Sequence, residues 1–222
     1  MKGGVLNTIR YKLLGGLFPE GKKGIKLLGH RFYVGGKWEE IGKLQFDYMR
    51  SQGLQPEDVF LDVACGALRG GLHFIPYLKK GNYLAIEKEE SLVHQGIDNE
   101  LGRELYNLKA PEIIITDSFE FFKLSKKPAY SLALSLFTHL CSEDINLCLK
   151  NLAEFVEPGH RFYATFFEGS SDRNQKKSHS LDHFEYTRQE MESFGERNNW
   201  QAQYIGNWGH PRDLMMIVYI AQ

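Results

Sequence analysis

The residues best suited to chemistry in this chain fall in four short stretches. The first is residues 62–71, DVACGALRGG, which follow the apolar run Val59, Phe60 and Leu61. A G-x-G-x-x-G nucleotide loop would place three glycines where this one has Ala64, Gly66 and Arg69. The second is Glu87, closing the run Tyr83, Leu84, Ala85 and Ile86. A carboxylate at such a strand end accepts hydrogen bonds from both hydroxyls of a ribose, or simply faces water. The third is Asp117, after three isoleucines, suited to accept from an adenine amino group or, with Thr116 and Ser118, to cap a helix over 119–122. The fourth is residues 135–139, from Ser135 to His139, whose imidazole serves as a general base or as a capping and packing group.

Charge separates two ligand classes at the loop. Diphosphate binding needs free backbone N–H groups at a helix N-terminus and no nearby anion. Asp62 opposes a diphosphate and suits an ammonium, and Arg69 is bulky where the third glycine would allow close helix–strand packing. Ala64 still permits close approach, and Gly66 supplies the tight turn. A zwitterion carrying an amine, a carboxylate and an adenosine therefore fits better than a nicotinamide dinucleotide. Arg69 and Gln45 suit the carboxylate as a guanidinium and an amide, but Arg69 would equally pair with a local acid and Gln45 sit exposed on a helix. Cys65 reads as a small loop filler. His210, between Gly209 and Pro211, is a second candidate base or a structural turn residue, and His179 and His183 belong to a polar stretch read as solvated loop.

These stretches need a scaffold that brings them to one edge. Helical spacing of Trp38, Ile41, Leu44, Tyr48 and Met49 predicts a helix over 38–52. Strands are expected at 59–63, 83–86, 113–115, 131–136 and 161–167, separated by a short helix toward Tyr77, a helix over 89–106, and a helix capped by Ser142 that stops at Pro158 and Gly159. Thr187 and Glu190 form a capping box for a further helix, and residues 203–205 and 214–219 form the last two strands. The pattern predicts an α/β fold: a doubly wound, mostly parallel seven-stranded sheet with a terminal antiparallel strand and helices on both faces. Ligands of such sheets bind at the carboxyl ends of the strands, where the four stretches lie.

Over about residues 35–222 the chain resembles the class I S-adenosylmethionine-dependent methyltransferases. The resemblance rests on Leu61 to Gly66 as the first motif, Ala85, Ile86 and Glu87 as the ribose acid, Asp117 as the adenine-side acid, and Ser135 to Leu140 as the fourth-strand motif. Glu157, Pro158, Gly159 and His160 look like the turn into strand five, with His160 replacing a usual glycine. Ala64 and Leu68 stand where the family's first motif has glycines. The stretch 68–71 together with 35–42 is similar to a subgroup whose acceptor is unassigned. The resemblance implies S-adenosylmethionine as cofactor, bound along Gln45, Asp62, Ala64, Cys65, Gly66, Arg69, Glu87, Asp117, Ser118 and Ser135, with His139 or His210 as base. It implies methyl transfer to an oxygen or nitrogen of a small or medium-sized acceptor, with the polar stretch after strand five, which carries His179 and His183, forming part of the acceptor pocket. A nicotinamide oxidoreductase and a non-catalytic adenosine-ligand binder are the alternatives.

Composition narrows the classes. With 222 residues, 42% hydrophobic, 25% charged and a net charge of -1, the chain is an ordinary globular protein for which no nucleic-acid partner is expected. Its three cysteines suit neither a disulfide framework nor a metal site, and no apolar run reaches the roughly 18–20 residues of a membrane span, so the cytoplasm is the expected location. Residues 1–34 read as an extension. Within 1–31, Lys2, Arg10, Lys12, Lys22, Lys23, Lys26 and Arg31 face a single acid, Glu20, and alternate with Val5, Leu6, Ile9, Leu13, Leu14 and Leu17. Such a segment lies on an anionic membrane surface or covers the core with its lysines in water.

Overall fold

The computed structural model describes residues 19–222. Its strands are β1 (Phe60–Val63), β2 (Tyr83–Glu87), β3 (Glu112–Ile115), β4 (Tyr130–Ala133), β5 (Arg161–Glu168), β6 (Glu185–Tyr186), β7 (Trp200–Asn207) and β8 (Met215–Ala221). They form one sheet in the order β3-β2-β1-β4-β5-β8-β7, with β6 added to β5 off that path. Strands β1 to β5 run parallel, and β8 runs antiparallel to both β5 and β7. The seven expected strands are all present. The eighth, β6, has only two residues and so no periodicity to announce it; Tyr186 anchors it, buried and donating its hydroxyl to Leu140 O at 2.8 Å.

The helices are α1 (Gly21–Leu28), α2 (His30–Tyr33), α3 (Trp38–Ser51), α4 (Gly71–Tyr77), α5 (Glu90–Gly96), α6 (Arg103–Lys109), α7 (Ser142–Phe155) and α8 (Arg188–Glu196). Successive strand residues point to opposite faces and feed two cores. Leu61, Val63, Leu84 and Ile86 join Phe162, Leu149 and Phe194 under α7 and α8. Phe60, Tyr83, Ala85 and Leu132 join Met49, Phe74 and Val93 under α3, α4 and α5. Each fully buried Phe or Leu contributes about 1.5–3 kcal/mol relative to exposure.

Three local readings change. The helix expected over 89–106 is two helices: after α5 the chain makes a π turn, Ile97–Leu101, which Gly102 ends at φ 84 by donating its N–H to Ile97 O. Strand four stops at Ala133 instead of continuing to Leu136, because Ser135 turns to φ 59 and donates its N–H to Thr165 Oγ1 at 2.7 Å. Ser142 is the first residue of α7 and not its cap; its hydroxyl donates to Glu143 in the first turn. The Thr187–Glu190 capping box has both of its reciprocal bonds.

The readings that fall on residues 1–18, including most of the basic amphipathic segment, lie outside the described residues. In α1, Ile25 and Leu28 are buried while Lys22, Lys23 and Lys26 are exposed, and Ile25 packs with Trp38, Ala67 and Leu92. Among the described residues no helix is long and apolar enough to cross a membrane.

Candidate active site

The loop after β1 follows the backbone path that glycine favours without having the glycines. Ala64 and Leu68 both adopt φ 64, on either side of Gly66 at φ 56. A left-handed conformation costs a non-glycine residue about 1 kcal/mol or more, so surrounding contacts must hold it. They do: Ala64 and Cys65 donate their N–H groups to Ile86 O at 2.9 and 3.2 Å, and Leu68 donates to Cys65 O at 3.0 Å. Helix α3 lies directly on the loop. A Cβ on Gly42 would stand 2.8 Å from Arg69 O, and one on Gly70 would stand 2.8 Å from Gln45 Cδ. Gln45 is therefore buried against the loop instead of exposed on its helix.

Glu87 joins this loop to the end of β2. Its carboxylate accepts N–H bonds from Gly66 at 2.8 Å, Lys88 at 3.0 Å and Glu89 at 2.9 Å. Burial pushes its pKa up, and the three N–H bonds oppose that shift. Asp62 is buried beneath the loop and accepts from the Tyr83 hydroxyl at 2.7 Å. Burial raises its carboxyl to about 7; the Tyr83 bond and Arg69 pull it down, and nearby Glu87 pushes it up. The Cys65 thiol is buried and its pKa is likewise raised, so it carries no thiolate.

Among the described residues Arg69 makes no ion pair with a local acid. Its Nη1 donates to Val34 O at 3.2 Å and Gly36 O at 3.0 Å, fastening the chain before α3 over the loop. Burial foremost, with Arg212 nearby, lowers its pKa to about 10, which leaves it charged at neutral pH. Beyond β3, Asp117 and Ser118 are exposed, and no hydrogen bond is made by the Asp117 carboxylate among the described residues. The local organiser is Thr116, whose hydroxyl donates to Glu120 at 2.8 Å and accepts from Ser118 N at 3.3 Å. Only a 3-10 turn follows, at Phe121–Lys123, instead of a capped helix over 119–122.

After β4, Ser135 leads into the 3-10 turn Phe137–His139. His139 donates Nδ1–H to Asp182 O at 2.7 Å, which fixes its tautomer and leaves a lone pair on Nε2. Burial holds the imidazole below its ordinary pKa, helped by His183, Lys88 and His179 and opposed by the Asp182 bond. The turn is sewn to the segment 178–184: His179 N donates to His139 O at 3.0 Å and Phe184 N to Thr138 O at 2.9 Å. The His183 ring lies between His139 at 6.2 Å and Phe167 at 5.4 Å. His179 and His183 thus pack against the His139 turn, on the stretch for which the family resemblance implies a part in the acceptor pocket.

His210 lies apart from His139, in the connection between β7 and β8. It is 3% exposed, stacks on Trp208 at 5.5 Å, and accepts from Arg212 N at 3.3 Å through Nδ1. Burial, then Arg69 and Arg212, push its pKa down to about 4, so it is neutral in ordinary buffers.

Two residues that the sequence did not mark as site candidates contact the loop and the segment 178–184. Val34 meets the loop, 3.1 Å from where a Gly66 Cβ would stand. Glu20 accepts from Ser180 N at 2.8 Å and pairs with His179 at 3.1 Å and Lys88 at 3.9 Å. Glu20 was visible as the single acid in a basic segment; Val34 and Tyr83 carried no signal beyond being apolar or aromatic. Among the described residues no group of three or more His, Cys, Asp or Glu is placed to hold a metal ion.

The arrangement is that of an open α/β sheet with its polar groups gathered at the carboxyl ends of β1 to β5. Solved structures share this fold. One is a magnesium protoporphyrin IX methyltransferase (ChlM) from Synechocystis PCC 6803 with bound SAH, with TM-score 0.60, 10% identity, and coverage of 98% of this chain and 96% of that one. DesVI from Streptomyces venezuelae matches with TM-score 0.60 and 18% identity over 86% of this chain and 95% of that chain. An O-methyltransferase family protein from Burkholderia thailandensis matches with TM-score 0.66 and 8% identity over 100% of this chain and 70% of that chain. No family model matches the sequence. The chain has the fold of these methyltransferases.

Proposed function

We propose that the chain is a methyltransferase that binds S-adenosylmethionine and moves its methyl to an oxygen or nitrogen of a small or medium-sized acceptor. The observation that carries this reading is the left-handed path of the loop through Ala64, Gly66 and Leu68, tied to Glu87. The donor set fits the cofactor. Glu87 uses three of about four lone-pair positions and keeps one for a ribose hydroxyl, and Asp117 presents an unpaired carboxylate after β3. Asp62, held near neutrality by burial, would be drawn into its charged form by an ammonium. The same buried carboxyl disfavours the diphosphate of a nicotinamide dinucleotide.

Bound S-adenosylmethionine supplies a methyl already activated by its sulfonium. The work left to the chain is alignment, which accounts for roughly 7–11 kcal/mol of a barrier when two reactants are held in near-attack geometry. His139 Nε2 takes the proton from the acceptor, with Nδ1–H held by Asp182 O so that the lone pair stays on the correct nitrogen. Residues 1–34 form an extension to the domain 35–222, and its Glu20 and Val34 cover the site; support comes from their contacts with His179, Lys88 and Gly66. The three unpaired cysteines agree with a reducing cytoplasm as the place of action.

Calorimetry tests the reading. S-adenosylmethionine and its demethylated product should bind and NAD should not; binding of NAD alone would end it. Transfer of labelled methyl into a small-molecule extract should fall about 100-fold in His139→Ala with cofactor affinity unchanged, and full retained transfer would retire His139 as base.

A further inference from the structure

Five buried side-chain polar atoms lack a partner among the described residues, and two of them belong to one stacked pair, Trp208 Nε1 and His210 Nε2. Both residues are more than nine-tenths buried, at 8% and 3% exposure. The Arg212 N–H points at His210 Nδ1, so in the neutral ring the proton sits on Nε2. Trp208 Nε1 is a donor by its chemistry. The pair therefore presents two buried donors with nothing to receive them, a costly arrangement that calls for an acceptor oxygen.

The surrounding charge says which kind. Arg69 lies close enough to His210 to repel its protonation, and Arg212 lies close to both. Arg69 uses only Nη1, on Val34 O and Gly36 O, so Nε and Nη2 have no partner among the described residues. Arg212 reaches Gly35 O. The acids in reach are Asp62, committed to Tyr83, and Glu40, committed to Lys37 at 2.9 Å. Two guanidinium groups beside two neutral donors select an anionic oxygen over a carbonyl or hydroxyl. Trp208 and His210 each bring one such donor to the stacked pair. The connection between β7 and β8 enters from the β5–β8 side of the sheet, across β1 from Glu87 and Asp117.

We propose that Trp208, His210 and Arg69 form a carboxylate subsite and that the methyl acceptor supplies the carboxylate, so the acceptor is an organic acid. This rests on the methyltransferase reading above. The methionine end of the cofactor is the other source of the same chemistry.

The test is a proton–nitrogen correlation spectrum of the full chain, following the Trp208 indole N–H among the signals of the three tryptophans. Trp208→Phe assigns that signal; should this variant not fold, the contact to the Tyr48 ring, 5.2 Å from Trp208, assigns it in the wild type. Formate should move the signal saturably with a millimolar Kd in protein loaded with S-adenosylhomocysteine, while formamide should bind at least tenfold more weakly. His210→Phe should weaken formate about tenfold and leave S-adenosylhomocysteine affinity unchanged. Absence of a saturable shift at about 100 mM formate, a Kd too weak for a built site, overturns the subsite. Inorganic phosphate binding as well as formate overturns the carboxylate assignment. Loss of formate binding once S-adenosylhomocysteine is present assigns the oxygen to the cofactor and overturns the organic-acid acceptor. Failure of S-adenosylhomocysteine to shift the amides of 62–71 would instead sink the methyltransferase reading, and formate added to the unloaded chain still reads the subsite by itself.

Discussion

Replacing Glu87 by glutamine isolates what one carboxylate does for the loop. In the native chain its two oxygens receive three backbone N–H groups, from Gly66, Lys88 and Glu89. Glutamine keeps one acceptor oxygen and turns an NH₂ toward at least one of those donors. The Lys88 and Glu89 N–H groups are adjacent and share Oε1, so the amide oxygen serves them best and the NH₂ meets the buried Gly66 N–H. A hydrogen bond to a charged group contributes roughly 1.5–3 kcal/mol, and a buried donor left unpaired costs about 1–3 kcal/mol. Some of that loss is offset because burial already disfavours the charged carboxylate. The expected net destabilisation is about 1–3 kcal/mol by urea unfolding. Hydrogen exchange should show lost protection at the Gly66 amide and little change along β4. Cofactor affinity should fall roughly ten- to a hundredfold, about 1.4–2.8 kcal/mol. A variant within about 0.5 kcal/mol of wild type, with Gly66 still protected, would refute the reasoning, because among the described residues Glu87 is the group that accepts that N–H.

Two more outcomes follow from the same loop. Gly96→Ala on α5 would place a Cβ 2.5 Å from Ala67 O, so it should lower stability by about 1–3 kcal/mol; an unchanged urea midpoint would show that the helix and loop are not in firm contact. Burial raises Asp62 from 3.8 to about 7 in the folded chain, so the folded state holds its proton more tightly than the unfolded one. Its contribution is present below about pH 4 and lost as the pH rises through about 7, so the stability of wild type minus that of Asp62→Asn should fall across that window, and a rise would contradict the burial assigned to it.

How far the site could be read before folding depended on distance along the chain. Asp62, Glu87 and Asp117 each end or follow a run of apolar strand residues, so a local pattern located them and the rule for α/β sheets put them on one edge. The capping box at Thr187 spans three residues and was equally legible. The π turn at Ile97–Leu101 was not, since the apolar spacing around it suits an unbroken helix.

The sequence by itself determined the fold class, the seven strands of the main sheet, and the three carboxylates at the ends of its first three parallel strands. Hydrophobic periodicity and strand-end chemistry are local properties, complete within ten or so residues. Tertiary structure alone decided what those residues do to one another. It put Ala64 and Leu68 on a glycine-like path, turned Arg69 onto the carbonyls of Val34 and Gly36, and lent Asp62 a hydroxyl from Tyr83. It also split the two histidines read as bases, giving His139 a fixed tautomer against Asp182 and leaving His210 buried with an idle donor. Burial and hydrogen bonding between segments tens of residues apart set each of these, and no spacing within a single element encodes them.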